Sequence, residues 1–300
     1  MSKEFKSFFK TVGGNEGSKC HYPTRLDTYG CGCSHDCKYC YAKSLLDFRK
    51  LWNPHDPAVA DVAKVRRRIQ RLNPGDIVRL GGMTDCFQPC ELKHRVTLET
   101  IKALNDRGVG YLIVTKSGIV GYDEYLEVID PRLAHVQVTT TTTDARVSAS
   151  LEVATAPEGR IWAAERLQAR GADTALRLSP FLPGLVDLDR IAAAKVDKIV
   201  LEFLRVSSWT RKWLGGLVDT SAYTVKSGGY QHLPLERKIE LATEVKRVTG
   251  KAVTVCEDEG EAYAYWRDHF NPNPNDCCNL RPPKTHNTTT QGEQPWTKTH

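Results

Sequence analysis

Nowhere in the chain do eighteen apolar residues follow one another, which excludes a bilayer-spanning helix. The opening Met1-Ser2-Lys3-Glu4-Phe5-Lys6 has no apolar stretch of the kind a secretory signal needs. A secreted, disulfide-stapled scaffold is therefore not expected, and a cytoplasmic protein with reduced thiols is. No segment repeats at a fixed period, which excludes solenoids and propellers. Nor is one sign of charge in large excess: 42 Lys and Arg against 36 Asp and Glu leave a formal +6. That balance permits a nucleic-acid partner without requiring one. With hydrophobic residues at 40% and charged ones at 26%, the 300 residues have an ordinary globular composition. They suffice to bury the core of one large domain.

What the chain does have is cysteine. Of ten, seven lie between Cys20 and Cys90, and the others are Cys256, Cys277 and Cys278. Metal or redox chemistry explains so uneven a placement in a reduced compartment. The last three carry no CxxC-type spacing, and adjacent cysteines seldom share an iron centre, so no auxiliary cluster is expected from them. Basic residues also gather twice. Lys64-Val65-Arg66-Arg67-Arg68 reads as a solvated helix face. The stretch from Arg205 to Lys212 is interleaved with Trp209 and followed by Trp213. Cations among indoles suit a nucleic-acid groove, with Arg205, Arg211 and Trp209 as the contacts.

Strand-like and helix-like segments alternate after a cysteine-rich loop over 26–41. Apolar or β-branched runs at 76–80, 111–115, 135–143, 175–179, 198–204 and 252–256 read as strands. Helical spacing covers 62–72, 92–107 (closed by Gly108), 122–129, 158–170, 188–194 and 235–249. Such alternation means parallel βαβ units. It predicts an α/β fold, a partial (β/α)6 TIM barrel, with its chemistry on loops after the strand C-termini. Three regions are expected: a loose arm over 1–20, the barrel over 21–260, and an extension over 261–300. The arm holds Gly13-Gly14-Asn15-Glu16-Gly17, and the polar, low-complexity end from His286 to Pro295 reads as disordered.

The informative segment is Tyr29-Gly30-Cys31-Gly32-Cys33-Ser34-His35-Asp36-Cys37-Lys38-Tyr39-Cys40-Tyr41. Its Cys33-x3-Cys37-x2-Cys40 spacing places three thiolates on one loop. Three thiolates hold three corners of a cubane [4Fe–4S] cluster and leave the fourth iron open. An open iron can chelate the amino and carboxylate groups of S-adenosylmethionine (SAM) and pass an electron into its sulfonium. That yields a 5′-deoxyadenosyl radical, chemistry no side chain performs alone. Zinc is the alternative. It takes four Cys or His ligands, often in two short pairs, and His35 or Cys31 could supply the fourth. The tight CxxxCxxC spacing at the start of a βα pattern favours the cluster.

Other positions suit a ligand at the same end of the barrel. Gly81 and Gly82 follow the strand-like Ile77-Val78-Arg79-Leu80 and let the backbone approach closely. Lys116 and Ser117 cap Ile113-Val114-Thr115, where an ammonium and a hydroxyl suit a carboxylate. Alternate members of Thr139 to Thr143 face the interior.

CxxxCxxC resembles the signature of the radical SAM superfamily. The wider text from Gly32 to Ala42 is similar to the branch containing spore photoproduct lyase and its photolyase-like relatives. Gly81-Gly82-Met83-Thr84-Asp85-Cys86-Phe87-Gln88-Pro89-Cys90-Glu91 resembles that branch's second-strand motif. Val114-Thr115-Lys116-Ser117 resembles its third-strand end. Thr139 to Asp144, Leu151-Glu152, Ala156 to Arg160 and Leu178 to Gly184 follow in the family's order, so the likeness covers about 25 to 260.

The resemblance implies a barrel of the radical SAM type, with a [4Fe–4S] cluster on Cys33, Cys37 and Cys40. It implies SAM as cosubstrate and a reductase such as flavodoxin or ferredoxin as electron donor. Gly81 and Gly82, with Thr84 in the same motif, would meet the SAM amino group. Thr141 matches a serine of the family that faces SAM. Tyr39 and Tyr41 are similar to tyrosines that relay a radical beside it. The reaction implied is hydrogen-atom abstraction from a damaged or modified thymine in DNA, the act of a carbon–carbon lyase. That lyase quenches its product radical with a cysteine near the second-strand motif. Here Met83 falls at or near that place, and Cys86, a few residues on, becomes the candidate donor. This departure keeps open a radical isomerase or modifying enzyme acting on another nucleobase, RNA or a peptide. A non-enzymatic zinc-binding nucleic-acid module is the remaining alternative.

Overall fold

Gly110 to Thr115 and Ala134 to Thr139 are buried along almost their whole length. Strands covered on both faces belong to parallel sheets wrapped by helices. The computed structural model, which describes residues 5–10 and 19–282, bears this out. The glycine-rich run at 13–17 and the polar tail at 286–295 lie outside the described residues.

The strands are β1 (Phe8–Lys10), β2 (Thr24–Leu26), β3 (Tyr29–Gly30), β4 (Ala58–Val59), β5 (Ile77–Leu80) and β6 (Gly110–Thr115). There follow β7 (Ala134–Thr139), β8 (Asp173–Phe181), β9 (Lys198–Phe203), β10 (Val225–Ser227), β11 (Tyr230–His232) and β12 (Ala252–Val255). The main sheet has eight strands in the order β1-β2-β5-β6-β7-β8-β9-β12. From β2 to β12 every neighbouring pair is parallel. The order follows the chain without reversal. Among the described residues β1 and β12 do not pair, so the sheet is a partial barrel. Helices Val96–Arg107, Pro157–Ala169 and Leu235–Thr249 cover its outside. The two-stranded pair β3–β4 and the hairpin β10–β11 are not part of it.

Several boundaries differ from the sequence reading, each for a local reason. Part of the expected loose arm is β1, antiparallel to β2 with Phe8 opposite Leu26. The helix expected over 92–107 is two, Glu91–His94 and Val96–Arg107, with Arg95 between them in the left-handed region at φ 57°. The buried Glu91 carboxylate accepts Thr97 N–H and Leu98 N–H, both at 2.9 Å, and so caps the second helix from outside it. Helix 122–129 shortens to Asp123–Leu126. The strand over 135–143 stops at Thr139, because Thr142 and Thr143 turn to the Leu185 carbonyl instead of a ladder. Helix Ser208–Leu214, capped by the Ser207 hydroxyl accepting Thr210 N–H at 3.0 Å, had no counterpart in the strand and helix reading.

The end of the barrel opposite the cysteine loop is closed by the chain's own continuation. Lys198 Nζ donates to Asn279 O at 2.7 Å, and Gln137 Nε2 to Cys278 O at 3.5 Å. Asp173, at the start of β8, accepts from Lys198, from Arg281 N–H at 2.6 Å and from His135 Nδ1 at 2.7 Å. One carboxylate thus ties β7, β8, β9 and the C-terminal segment. Burial pushes its pKa up, but the bonds from His135, Lys198 and Arg281 outweigh burial and hold it at about 2. A carboxylate depressed on folding stabilises above its unfolded pKa, about 4, and loses that contribution as pH falls toward the folded value. Asp173→Asn is therefore expected to lower stability at pH 7 by on the order of 2 kcal/mol. The gap to the parent chain should close between about pH 4 and pH 2. Urea denaturation across that range measures both.

Candidate active site

The cysteine loop is tight because two residues take left-handed backbone angles, Cys31 at φ 56° and Asp36 at φ 38°. Asp36 N–H reaches back to Cys33 O at 3.1 Å and Cys40 N–H to Cys37 O at 3.2 Å, so one turn follows another. Neighbouring elements hold the loop from outside. Ser34 N–H donates to Gln88 Oε1 at 2.8 Å, Lys38 N–H to Leu151 O at 2.9 Å, and Val153 N–H to His35 O at 2.7 Å.

Asp85 joins this loop to the end of β6. It accepts the Thr115 hydroxyl at 2.7 Å, Lys116 N–H at 2.7 Å and Phe87 N–H at 2.8 Å. His35 Nε2 lies 3.3 Å from its second oxygen. Burial acts to raise the Asp85 pKa, but His35 and the backbone donors prevail and keep it low.

Cys33, Cys37 and Cys40 lie close enough for their charges to interact. Burial pushes all three thiols up, reinforced by Asp85 at Cys33 and by Glu152 at Cys37. The Lys116 ammonium acts in the opposite direction on Cys37 and Cys40. Burial in turn lowers the Lys116 pKa. Its Nζ donates to Ser179 O at 3.1 Å and stands 5.5 Å from the Tyr39 ring centre. Behind Cys37, Glu152 is paired with Arg160, both fully buried, and accepts the Tyr39 hydroxyl. A cavity of about 320 Å³ opens over these groups. Cys37, Tyr39, Cys40 and Tyr41 line it together with Lys116, Ser179, Glu202, Arg205 and Tyr230.

Three thiols on one loop, Cys37 buried and Cys33 and Cys40 half-buried, with an ammonium facing two of them, can hold an iron–sulfur cluster. Among the described residues no three His, Cys, Asp or Glu side chains are arranged around a point where a single metal ion would sit. A cubane offers each thiolate its own iron, so its ligands need no common point. A lone zinc ion needs one.

The family model described as the radical SAM superfamily matches residues 28–196. The chain belongs to this superfamily. Its cofactors are accordingly a [4Fe–4S] cluster and SAM, and the donor set just described fits them. Uncharacterized proteins of Mycobacterium tuberculosis and Mycobacterium bovis are each 29% identical to this radical SAM chain over 201 residues, 61% of its length. The chain spans 59% of the length of those relatives. Among solved structures, a spore photoproduct lyase mutant with bound AdoMet and dinucleoside spore photoproduct matches at TM-score 0.60 and 15% identity. That match covers 79% of this chain and 77% of the other. Another mutant of the lyase matches at TM-score 0.62 and 15% identity, over 84% and 79%. Likeness at this identity establishes the fold, a partial barrel of the radical SAM type.

The positions singled out in the sequence divide into two groups. Lys116, Tyr39 and Tyr41 border the cavity, and Thr141 touches it through the Tyr39 hydroxyl at 2.9 Å. The Gly82 carbonyl accepts the Tyr41 hydroxyl at 2.9 Å. Gly81 has φ 83°, and a Cβ there would lie 2.8 Å from the Val114 carbonyl oxygen, so the approach of β5 to β6 demands glycine. Thr84 and Ser117, in contrast, turn to structural partners. The Thr84 hydroxyl donates to Tyr29 O, and Ser117 Oγ caps the turn Gly118–Gly121 by accepting Ile119 N–H at 3.3 Å. Cys86, the expected hydrogen-atom donor, is 1% exposed in the apolar core and does not line the cavity. Asp85 accepts from Phe87 across it and fixes a turn that packs Cys86 inward.

The nucleic-acid candidates divide likewise. Arg205 is paired with Asp258 at the cavity's edge. Arg211 lines an open groove of about 570 Å³ with Lys212, Lys226 and Tyr230. Trp209 is half-exposed, 6.0 Å from Trp213, and lies outside the groove lining. Sequence reasoning missed Glu202 and Tyr230. A carboxylate inside the apolar strand Lys198-Ile199-Val200-Leu201-Glu202-Phe203 was the available signal for the first. The second sits on an unread hairpin.

Removing Asp85 would leave two backbone N–H groups and a hydroxyl unpaired. Asp85→Ala is expected to destabilise the chain by about 3 kcal/mol in urea denaturation. Asp85→Asn, which keeps an acceptor oxygen, should lose less than half of that.

Proposed function

We propose that the chain cleaves SAM reductively and abstracts a hydrogen atom from a nucleobase, by preference a damaged or modified thymine in DNA. One observation carries this reading: the cavity over the cysteine loop and the basic groove share Tyr230. A target base seated in the first would leave its backbone beside Arg211, Lys212 and Lys226. That a protein of the same fold binds a dinucleoside spore photoproduct supports the choice of substrate class.

Cys33, Cys37 and Cys40 would ligate three irons of the cluster. Lys116 would pair with the SAM carboxylate, with Gly81, Gly82 and Thr141 on the remaining polar atoms of the cofactor. When bound, the reduced cluster and SAM together supply one electron and a radical able to take hydrogen from an unactivated C–H bond. The protein's part is to exclude water, orient the base and hold Tyr39 and Tyr41 against the reacting centre. Glu152 accepts the Tyr39 hydroxyl and keeps it oriented. A base in a duplex must first leave the stack, at roughly a few kcal/mol, which phosphate contacts in the groove would offset. A flavodoxin or ferredoxin in the cytoplasm would deliver the electron.

The burial of Cys86 favours a second reading beside the first. The cavity wall has no cysteine besides Cys37 and Cys40. A radical isomerase on another nucleobase, RNA or a peptide needs no such thiol, because the hydrogen returns from 5′-deoxyadenosine, and a modifying enzyme that consumes SAM needs none, because the hydrogen leaves with 5′-deoxyadenosine.

Anaerobic reconstitution with dithionite and SAM tests the proposal. About four irons per chain and release of 5′-deoxyadenosine are expected. Bound zinc, no iron and intact SAM would overturn it. Alanine at Cys33, Cys37 or Cys40 should abolish both iron retention and SAM cleavage, and a variant keeping both removes that residue from the ligand set. Arg211→Ala should weaken single-stranded DNA binding uniformly across sequences. It should also lower the slope of log affinity against log salt by about 1.

A further inference from the structure

Four cysteines outside the CxxxCxxC loop line one cavity: Cys20, Cys256, Cys277 and Cys278. All four are free thiols. They come from three distant stretches that the fold laces together. Cys256 follows β12, its N–H bonded to Leu201 O at 2.8 Å. Lys19, beside Cys20, donates from Nζ to Asp258 O at 2.5 Å, two residues beyond Cys256. The Tyr22 hydroxyl bonds to the Asp276 carboxylate. That carboxylate curls the chain at the last pair by accepting Cys278 N–H at 2.9 Å and Leu280 N–H at 2.8 Å. Cys256 in turn bonds to Cys277, to Cys278 and to the Arg177 guanidinium.

Two guanidiniums face the same space. Arg177 is buried in β8 and held by Gln137 Oε1 at 2.7 Å and by Glu202 at 2.6 Å. Arg79 also lines the cavity, and its buried Nε has no hydrogen-bond partner. Four thiolates on a [4Fe–4S] core form a net anion, which hydrogen bonds and positive charge around the sulfurs stabilise. A single zinc ion needs its ligands around one point, and among the described residues no three are so placed. A cubane offers each thiolate its own iron, so Cys277 and Cys278 can both bind although they are adjacent. Spacing alone argues against a cluster on Cys256, Cys277 and Cys278. The fold adds what spacing lacks, a fourth cysteine from the other end of the chain.

We propose that Cys20, Cys256, Cys277 and Cys278 hold a second [4Fe–4S] cluster. With a thiolate on every iron it leaves no open position for SAM, and its chemistry is one-electron transfer. Its cavity shares Glu202 and Arg205 with the one over the cysteine loop. Glu202 accepts from Arg177, which touches Cys256, and from Ser179 Oγ at 2.7 Å, which lines the SAM cavity. A single carboxylate thus stands between the two sites, and the second cluster borders the space in which the radical chemistry takes place. The metal site itself stands whether or not that space takes a nucleobase.

Full-length Cys33→Ala, reconstituted anaerobically with ferrous iron and sulfide, isolates the second site. The cysteine loop alone accounts for about four irons per chain, and Cys33→Ala removes those. The second cluster adds about four more, which Cys33→Ala keeps without cleaving SAM. The variant should therefore be brown and bleach with dithionite. Adding Cys20→Ala or Cys256→Ala to it should take the retained iron to near zero. Alkylation mapping needs no change at the site. In reconstituted Cys33→Ala the four thiols should resist iodoacetamide, and stripping the iron with a chelator should expose them. Trypsin separates them into peptides 20–25, 252–267 and 268–284.

An iron-free Cys33→Ala whose four thiols alkylate freely would overturn the proposal, and so would zinc bound in place of iron. Iron that survives Cys20→Ala or Cys256→Ala undiminished would overturn it as well. None of these readouts depends on SAM cleavage, so the two proposals fail separately.

Discussion

The architecture of the mouth depends on a single buried carboxylate. Asp85 ties the turn after β5 to the end of β6 and meets the imidazole of the cysteine loop. Three stretches of chain, distant in sequence, thereby keep a common register. The position of Lys116 follows from it, because Asp85 holds its backbone N–H. A charge in this place is tolerated because its acceptor sites are filled by backbone donors, a hydroxyl and an imidazole. An apolar residue of similar size would fill the space and lose the alignment.

A second layer of polar contacts plays the same part behind the loop. Glu152 and Arg160 are fully buried as a pair, and the carboxylate reaches the Tyr39 hydroxyl. Buried pairs of this kind are weak evidence for stability. Here the geometry gives them a clearer role, since they orient an aromatic ring at the wall of the cavity. Rigid support beneath a functional side chain is what a site of fixed geometry needs.

The barrel and the cysteine loop were legible in the sequence because each follows from a short-range rule. The alternation of strand-like and helix-like segments gave the parallel units, and the CxxxCxxC spacing carries its chemistry in three residues. What escaped reading was non-local. The break at Arg95 arises from Glu91 capping a helix that begins after it. The early end of β7 depends on a carbonyl at Leu185, far along the chain. Cys86 stands within the second-strand motif, yet the turn that carries it inward is held by Asp85. The meeting of Cys256 with Cys277 and Cys278 had no sequence signal beyond composition, because a tail entering the barrel's end leaves no periodicity.

Helix Ser208–Leu214 and hairpin β10–β11 both fall within the single connection between β9 and β12, whereas the cysteine loop lies between β2 and β5. The groove is thus built almost wholly from one uninterrupted stretch, remote in sequence from the metal-binding one. If the groove recognises substrate as proposed, such a division would make recognition modular: changes within the β9–β12 excursion would leave the cysteine loop, on another stretch of chain, in place. Divergence of specificity within this fold would then be recorded in one segment, and the age of the chemistry in another.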